Sequence, residues 1–212
     1  MKKVFKIYFS HFAIKLYLAM AIFFYVAAVM IDYQSITSKL WILGLPIILA
    51  PFFEWWAHKY LLHRIVDQKK EPRAYLYMLE LHYKHHWEPN NLETVFAPIS
   101  SALLVFLIFT PIAFLFLGTQ GALIFEAGVI SYFLFYEWIH LAHHIPSYRA
   151  MTSFGKSIRQ AHSWHHFKNE NFWWGVTNPI GDHLLKTFKN YKEVEASPGA
   201  MSLGRLKSED KK

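Results

Sequence analysis

Long apolar runs alternate with polar, histidine-bearing stretches along the 212-residue chain. A helix needs roughly 20 apolar residues to cross the core of a bilayer. Four runs approach that length, at about 12–31, 40–53 (continuing through EWWAH), 95–117 and 121–139. The pattern predicts an all-α integral membrane protein with about four transmembrane helices. Pro46 and Pro51 predict a kink or a partly re-entrant segment in the second run, and the short GTQ connection predicts that the last two runs form a tight hairpin.

The loop charges indicate which side of the membrane the polar stretches occupy. Lysine and arginine are frequent at the N-terminus, in 57–94 and after residue 144, but rare in 33–39 and absent from 118–120. Because cytoplasmic loops are enriched in these residues, we expect both termini and a helical cap on the cytoplasmic side. The first run lacks a small-residue cleavage site, which favours an uncleaved span. We expect N-terminal membrane helices in 1–50, a catalytic domain in 51–192 that includes spans three and four, and a flexible tail in 193–212.

Composition narrows the chemistry of the cap. The chain contains no cysteine, which excludes disulfides, thiolate metal sites and an iron–sulfur cluster held by cysteines of this chain. The formal net charge is +7. Positive-inside topology accounts for that charge, so no nucleic-acid partner is predicted.

Eleven of the thirteen histidines lie in four short clusters. HYKHH (82–86), HLAHH (140–144) and HSWHH (162–166) each place histidines at i, i+3 and i+4, which lie on one helical face. In HKYLLH the spacing is i, i+5, or about 140° on a regular helix. The fourth cluster therefore predicts a site at a helix end or a distorted helix. The candidate metal ligands are His58, His63, His82, His85, His86, His140, His144, His162, His165 and His166.

The number of histidines indicates two metal ions, because one ion takes about four to six ligands. Imidazole suits zinc, copper, iron and nickel. Zinc does no redox chemistry, so two iron ions fit better if O2 is a co-substrate, with zinc as an alternative occupant. His143 is either an eleventh ligand or a neighbour. His11 is expected to be structural or on the surface, and His183 to be structural or to support a metal ligand. Carboxylates expected to orient the imidazole rings are Glu54, Glu80, Glu137 and Asp182.

The combined motifs resemble the fatty acid hydroxylase / sterol desaturase superfamily of integral-membrane di-iron enzymes. The resemblance covers about 50–190 and includes the closing segment RQAHSWHHFKNENFWWGVTNPIGDHLLKTF. The chain differs from the fatty acid 2-hydroxylase branch by Glu137 where that branch usually has aspartate, by the added His143, and by Gly181 in place of an aromatic residue. The same ten histidines match the superfamily's ligand set.

The resemblance implies O2-dependent hydroxylation of a C–H bond in a lipid, in lipid biosynthesis. The substrate would be a fatty acyl or sphingolipid-like chain, with sterols and carotenoids as alternatives. Desaturation or another lipid oxidation at the same site remains open, as does a non-catalytic, histidine-rich metal-binding membrane protein.

The source of electrons and the compartment follow from what the sequence lacks. With no cysteine and no flavin or nicotinamide fingerprint, electrons would come from a separate ferredoxin, or from a b-type cytochrome with its reductase. A compact chain without a fused domain favours the bacterial inner membrane, or the endoplasmic reticulum if the protein is eukaryotic.

Overall fold

The computed structural model describes residues 2–203, and this part of the chain contains helices but no strands. This confirms the all-α class. In chain order the elements are α1 (Lys2–Ser10), α2 (Phe12–Ile31), α3 (Ile36–Lys39), a 3-10 turn (Leu40–Gly44), α4 (Leu45–Ala57), a π-helix (His58–Leu62), α5 (Arg73–Trp87), α6 (Ile99–His144), α7 (Ser153–Phe167), α8 (Ile180–Leu184) and a 3-10 turn (Tyr191–Glu193).

Three continuous helical stretches are long and apolar enough to cross a membrane, namely Phe12–Ile31, Ile36–Leu62 and Ile99–His144. The first coincides with the first predicted span. The second begins before the predicted run and continues through EWWAH, as expected. Pro46 lies in the first turn of α4, where a missing backbone N–H costs little, while Pro51 lies inside the helix.

The longest stretch, α6, reverses direction at Gly118. A straight 46-residue helix would be about 69 Å long, more than twice the thickness of a bilayer core. Gly118 instead has φ 65° and ψ 177°, a conformation that glycine adopts without steric cost. Thr110 Oγ1 donates a hydrogen bond of 2.7 Å to Glu126 Oε1. In a straight helix these residues would be about 24 Å apart, so the predicted hairpin is confirmed and α6 supplies two of the four expected spans.

The described residues form two compact units, and the first comprises 2–50 and 98–138. Its core is a cluster of small and branched apolar side chains, namely Ala28, Ile36, Ile42, Ala113, Ala122, Ile124 and Phe125. The buried amide of Gln120 joins three segments of this unit. Its Nε2 donates to the carbonyl oxygens of Ala28 and Asp32, while its Oε1 accepts from Ser35 Oγ and Lys39 Nζ. Every donor and acceptor of this buried amide is therefore used.

The second unit comprises 51–97 and 139–203 among the described residues, and it contains all four histidine clusters. Within it, α8 packs closely on the end of α4. A Cβ at Gly181 would lie 2.9 Å from Trp55 Cβ and 3.0 Å from the Pro51 carbonyl oxygen, so the backbones can approach only because this side chain is absent. Trp55 Nε1 also donates to Thr187 Oγ1 at 2.8 Å. These contacts fix α8 and the segment after it against α4, which leads directly into the π-helix that begins at His58.

The two units are groups of residues in mutual contact, and the first joins residues 98–138 to the N-terminal helices. The expected division into domains stays a prediction. Val194 and Ala200, from the segment expected to be a flexible tail, are buried. Residues 204–212 of that expected tail lie outside the described residues.

Candidate metal centre

Four helical segments of the second unit supply the clustered histidines. The π-helix and its C-cap residue carry His58 and His63, α5 carries three histidines, the end of α6 carries three, and α7 carries three. On α5 and α7 the i, i+3, i+4 spacing keeps the three rings on one side of the helix, as predicted.

The pair His58 and His63 depends on the predicted helix distortion. The backbone N–H of His63 donates to the carbonyl oxygen of His58 at 3.2 Å, five residues earlier, which is the π-helical pattern. A π-turn contains more residues per turn than an α-turn, so residues at i and i+5 come onto nearly the same face. The two ring centroids are 4.9 Å apart. The distortion therefore converts an unfavourable α-helical spacing into a pair of neighbouring rings.

Nine of the ten predicted ligands form two groups that can each hold a metal ion. Within each group, one nitrogen per residue lies within 4.8 Å of the others. Eight of the nine histidines are buried and His63 is half-buried. The five-histidine group consists of His85, His140, His144, His162 and His166, and the four-histidine group consists of His58, His63, His86 and His165.

The Nε2 atoms of the five-histidine group point towards one another. The Nε2–Nε2 distances are 3.0 Å for His140 and His85, 2.8 Å for His144 and His162, and 3.2 Å for His166 and His162. A neutral imidazole carries only one N–H, so hydrogen bonds cannot satisfy all three nitrogens around His162. Two ligands of one ion, each about 2.1 Å away, are separated by about 3.0–3.4 Å at 90–109°. The spacing therefore fits a shared cation.

In the four-histidine group, backbone carbonyl oxygens hold the opposite ring nitrogens. The Nδ1 atoms of His58, His165 and His86 lie 2.7, 2.8 and 3.0 Å from the carbonyl oxygens of Trp174, Phe172 and Ala200. A carbonyl oxygen only accepts, so each Nδ1 carries the proton and each Nε2 presents its lone pair. The buried Nε2 atoms of His58 and His86 have no hydrogen-bond partner among the described residues. This is the tautomer that a metal-binding histidine requires.

Several of the clustered histidines lie outside the membrane-spanning helices, and burial keeps their rings uncharged. Burial, reinforced by neighbouring histidines, holds the pKa values of His85, His162, His165 and His166 well below the ordinary 6.5. Burial likewise lowers the pKa of His86 to about 3. At neutral pH these imidazoles are therefore available as metal ligands without first losing a proton.

Two of the four predicted carboxylates act on the loop that follows α7. Glu54 accepts hydrogen bonds from the backbone N–H groups of Val176 and Thr177 and from Thr177 Oγ1, at 3.3, 3.1 and 2.6 Å. Asp182 accepts from the N–H groups of Trp174 and Gly175 at 2.9 and 2.7 Å. Both carboxylates therefore fix the loop whose carbonyl oxygens contact the histidines, although we expected them to contact the rings directly.

The other two carboxylates are placed differently. Glu80 lies on the exposed face of α5 and forms an ion pair of 2.6 Å with Lys84, so the expectation that it orients a ring is corrected. It is two residues from His82, which puts the two side chains about 200° apart around the helix. Glu137 is fully buried within the first unit, one turn before His140 on α6.

Four histidines lie outside both groups. His82 belongs to neither group, but its ring centroid lies 5.0, 5.1 and 4.9 Å from those of His58, His63 and His86. His143 is a neighbour of the five-histidine group, with its ring centroid 5.1 Å from that of His162. His183 is exposed and stacks on Phe188. His11 is half-buried in the connection between α1 and α2.

The sequence did not reveal the contribution of the loop backbone. Phe172, Trp174 and Ala200 act through carbonyl oxygens, which every residue type carries. One signal was available, because NFWWGV places large aromatic side chains beside a glycine directly after the last histidine cluster. Trp173 of this run has φ 58°, a conformation that bulky residues rarely adopt, and it is completely buried.

Comparisons with known proteins agree with this geometry. The fatty acid hydroxylase family matches residues 43–187. Human fatty acid 2-hydroxylase is 26% identical over 140 residues, covering 64% of this chain and 37% of the human protein. Dihydroceramide fatty acyl 2-hydroxylase FAH1 of Arabidopsis thaliana is 25% identical over 152 residues, covering 69% of this chain and 62% of the plant protein. The chain thus spans less than two thirds of the length of these relatives.

A solved structure has the same fold. Full-length scs7p, in which only the hydroxylase domain is visible, superposes with a TM-score of 0.70. The superposition covers 86% of this chain and 67% of the other, at 18% sequence identity.

Proposed function

The chain belongs to the fatty acid hydroxylase family, and from this premise we propose that it is a membrane-bound di-iron enzyme that hydroxylates a lipid acyl chain. The observation that carries the proposal is the pair of adjacent histidine groups with converging, neutral ring nitrogens. A family of lipid hydroxylases and a site for two metal ions together support O2-dependent insertion of a hydroxyl group into a C–H bond. Fatty acyl chains, free or in a ceramide-like lipid, are the proposed substrate class.

The proposed ligand set consists of the nine grouped histidines and His82. The ring of His82 borders three members of the four-histidine group, and its buried Nε2 has no partner among the described residues. Adding it gives each ion five imidazoles. His143 is left out of the set because it contacts His162 from outside the five-histidine group.

The protein supplies binding, orientation and exclusion of water. Neutral imidazoles present Nε2 lone pairs, and the carbonyl oxygens of 172–174 and Ala200 keep three of those rings in one tautomer. With O2, two electrons and two protons, the bound iron pair would supply the oxidant that converts the C–H bond to C–OH and releases one water. Since the chain has no cysteine, we propose that a separate ferredoxin or b-type cytochrome delivers the electrons.

The proposal places the centre at the cytoplasmic face of a membrane, in the bacterial inner membrane or the endoplasmic reticulum. Three helical stretches have the length and composition to cross a bilayer, and the basic segments lie next to the histidine clusters in the sequence.

The test is expression with iron and an electron donor, followed by mass spectrometry of the host lipids. We expect lipids that gain one oxygen atom, and we expect His165→Ala to abolish that product. His183→Ala is the matched control, because the same substitution at this exposed ring should leave the product unchanged. Loss of two hydrogens without added oxygen would instead identify a desaturase. Unchanged lipids from an iron-loaded wild type would contradict both enzymatic functions.

A further inference from the structure

We infer that Asp182 is a positioning residue for only one of the two proposed metal ions, the one held by the four-histidine group. The inference rests on the proposed two-metal function and adds that the two ions are not equivalent. Asp182 is buried, lies outside both histidine groups and acts on them through the backbone of one loop.

The loop backbone transmits the effect of Asp182. The carboxylate accepts from the N–H of Trp174, and the carbonyl oxygen of the same residue contacts His58 Nδ1 at 2.7 Å. Two residues earlier, the Phe172 carbonyl oxygen contacts His165 Nδ1 at 2.8 Å. Asp182 therefore fixes one side of a loop whose other side orients two of the four rings.

The loop conformation is strained, so it requires such support. Trp173, between the two carbonyl groups, has φ 58°. A non-glycine residue in this region costs on the order of 1–3 kcal/mol and persists only where its surroundings hold it. The ring Nε1 of Trp173 donates to the Lys189 carbonyl oxygen at 3.0 Å, and its backbone N–H donates to the Thr187 carbonyl oxygen at 3.2 Å. Thr187 Oγ1 also donates to Asp182 at 2.6 Å, which joins both ends of the support.

The five-histidine group has different contacts. Its Nε2 atoms contact one another, and these contacts join α5 to α6 through His85 and His140 and α6 to α7 through His144 and His162. The loop carbonyl oxygens of Phe172 and Trp174 contact rings of the four-histidine group instead. Loosening the loop should therefore weaken one ion and spare the other.

The experiment counts iron bound to purified protein after anaerobic reconstitution with ferrous iron over a range of concentrations. Wild type should bind about two ions per chain. Asp182→Asn replaces one acceptor oxygen by an NH2 group that faces a backbone N–H. It should weaken iron binding to the four-histidine group by about 10–100-fold, as is typical of residues that support metal ligands. At the iron concentration that just saturates wild type, Asp182→Asn should bind about one ion per chain.

Double variants identify which ion is lost. Asp182→Asn combined with His165→Ala should still retain about one ion, whereas Asp182→Asn combined with His162→Ala should retain almost none. Glu193→Gln, an exposed carboxylate on the same C-terminal segment, is the matched control and should keep both ions. Thr187→Val removes one of the hydrogen bonds to Asp182, together with the one that Thr187 accepts from Trp55 Nε1, and should give a smaller loss at the same group.

Each outcome decides the inference. Unchanged affinity for both ions in Asp182→Asn, or equal weakening of both in a folded variant, would overturn it. If Asp182→Asn does not fold, the Thr187→Val titration decides on the same criterion of selective loss. A wild type that binds one ion or none would contradict the proposed two-metal function itself. If wild type binds two ions but the variant loses both equally, only the inference about Asp182 fails.

Discussion

The close approach of α8 to α4 predicts that Gly181→Ala lowers the stability of the protein, whereas Gly44→Ala, at an uncrowded position, does not. An added Cβ at Gly181 would lie 2.9 Å from Trp55 Cβ, 3.0 Å from the Pro51 carbonyl oxygen and 3.3 Å from Trp55 Cγ. Non-bonded carbon atoms prefer about 3.5–4.0 Å. Backbone atoms and the base of a tryptophan cannot rotate away, so α8 must shift outwards.

The size of the effect follows from two opposing contributions. Overpacking a close contact costs about 1–3 kcal/mol, while alanine gains up to about 1 kcal/mol over glycine inside a helix. We expect a net loss of about 1–2 kcal/mol. At about 2–4 °C per kcal/mol for a chain of this size, the melting temperature should fall by about 2–8 °C. Because Asp182 is the next residue, iron binding to the four-histidine group should weaken as well.

Gly44→Ala provides the matched control. A Cβ at Gly44 would meet no atom within 4 Å, and the residue lies in a helical turn. This variant should be as stable as wild type, or up to about 1 kcal/mol more stable. Thermal unfolding of both variants in one detergent, at one scan rate and with and without iron, makes the comparison. The reasoning is refuted if Gly181→Ala has the same melting temperature as wild type, or if the melting temperatures of both variants change by the same amount.

Two further predictions concern buried polar groups. Metal-free protein should lose stability as the pH falls from 7.5 to 5.5, because the buried histidines stay neutral while the unfolded chain binds protons below 6.5. Each such ring contributes up to about 1.4 kcal/mol per pH unit, and a flat pH profile of the melting temperature would contradict the neutral cluster. Thr110→Val should cost about 1–3 kcal/mol by removing the hydroxyl donor to buried Glu126. Exposed Thr37→Val should stay within about 0.5 kcal/mol of wild type, and equal melting temperatures for the two variants would argue against the hairpin contact.

The spans and histidine clusters could be predicted because each has a local sequence pattern. Apolar runs identified the membrane helices, and GTQ identified the hairpin, although a single glycine makes the turn. The i, i+5 spacing of His58 and His63 already required a distorted helix, and the π-helix meets that requirement. In each case the relevant residues are close together in the chain.

The division of the histidines between two groups could not be predicted, because it depends on contacts between distant segments. His85 and His86 are adjacent on α5 yet belong to different groups. His86 pairs with a carbonyl oxygen 114 residues away, and backbone groups leave no signature in the sequence. The misplaced Glu80 is a different case. Its position two residues before His82 already put it on the opposite face of the helix, so helical geometry alone could have excluded it.

The pairing of His86 with Ala200 also sets the order of events during synthesis. Chains fold from the N-terminus as they are made, and α5 is translated long before its partner residue exists. The four-histidine group therefore gains its last support only after residue 200 has left the ribosome. Until then, the ring of His86 lacks the carbonyl oxygen that fixes its tautomer, whereas His58 and His165 can already pair with Trp174 and Phe172.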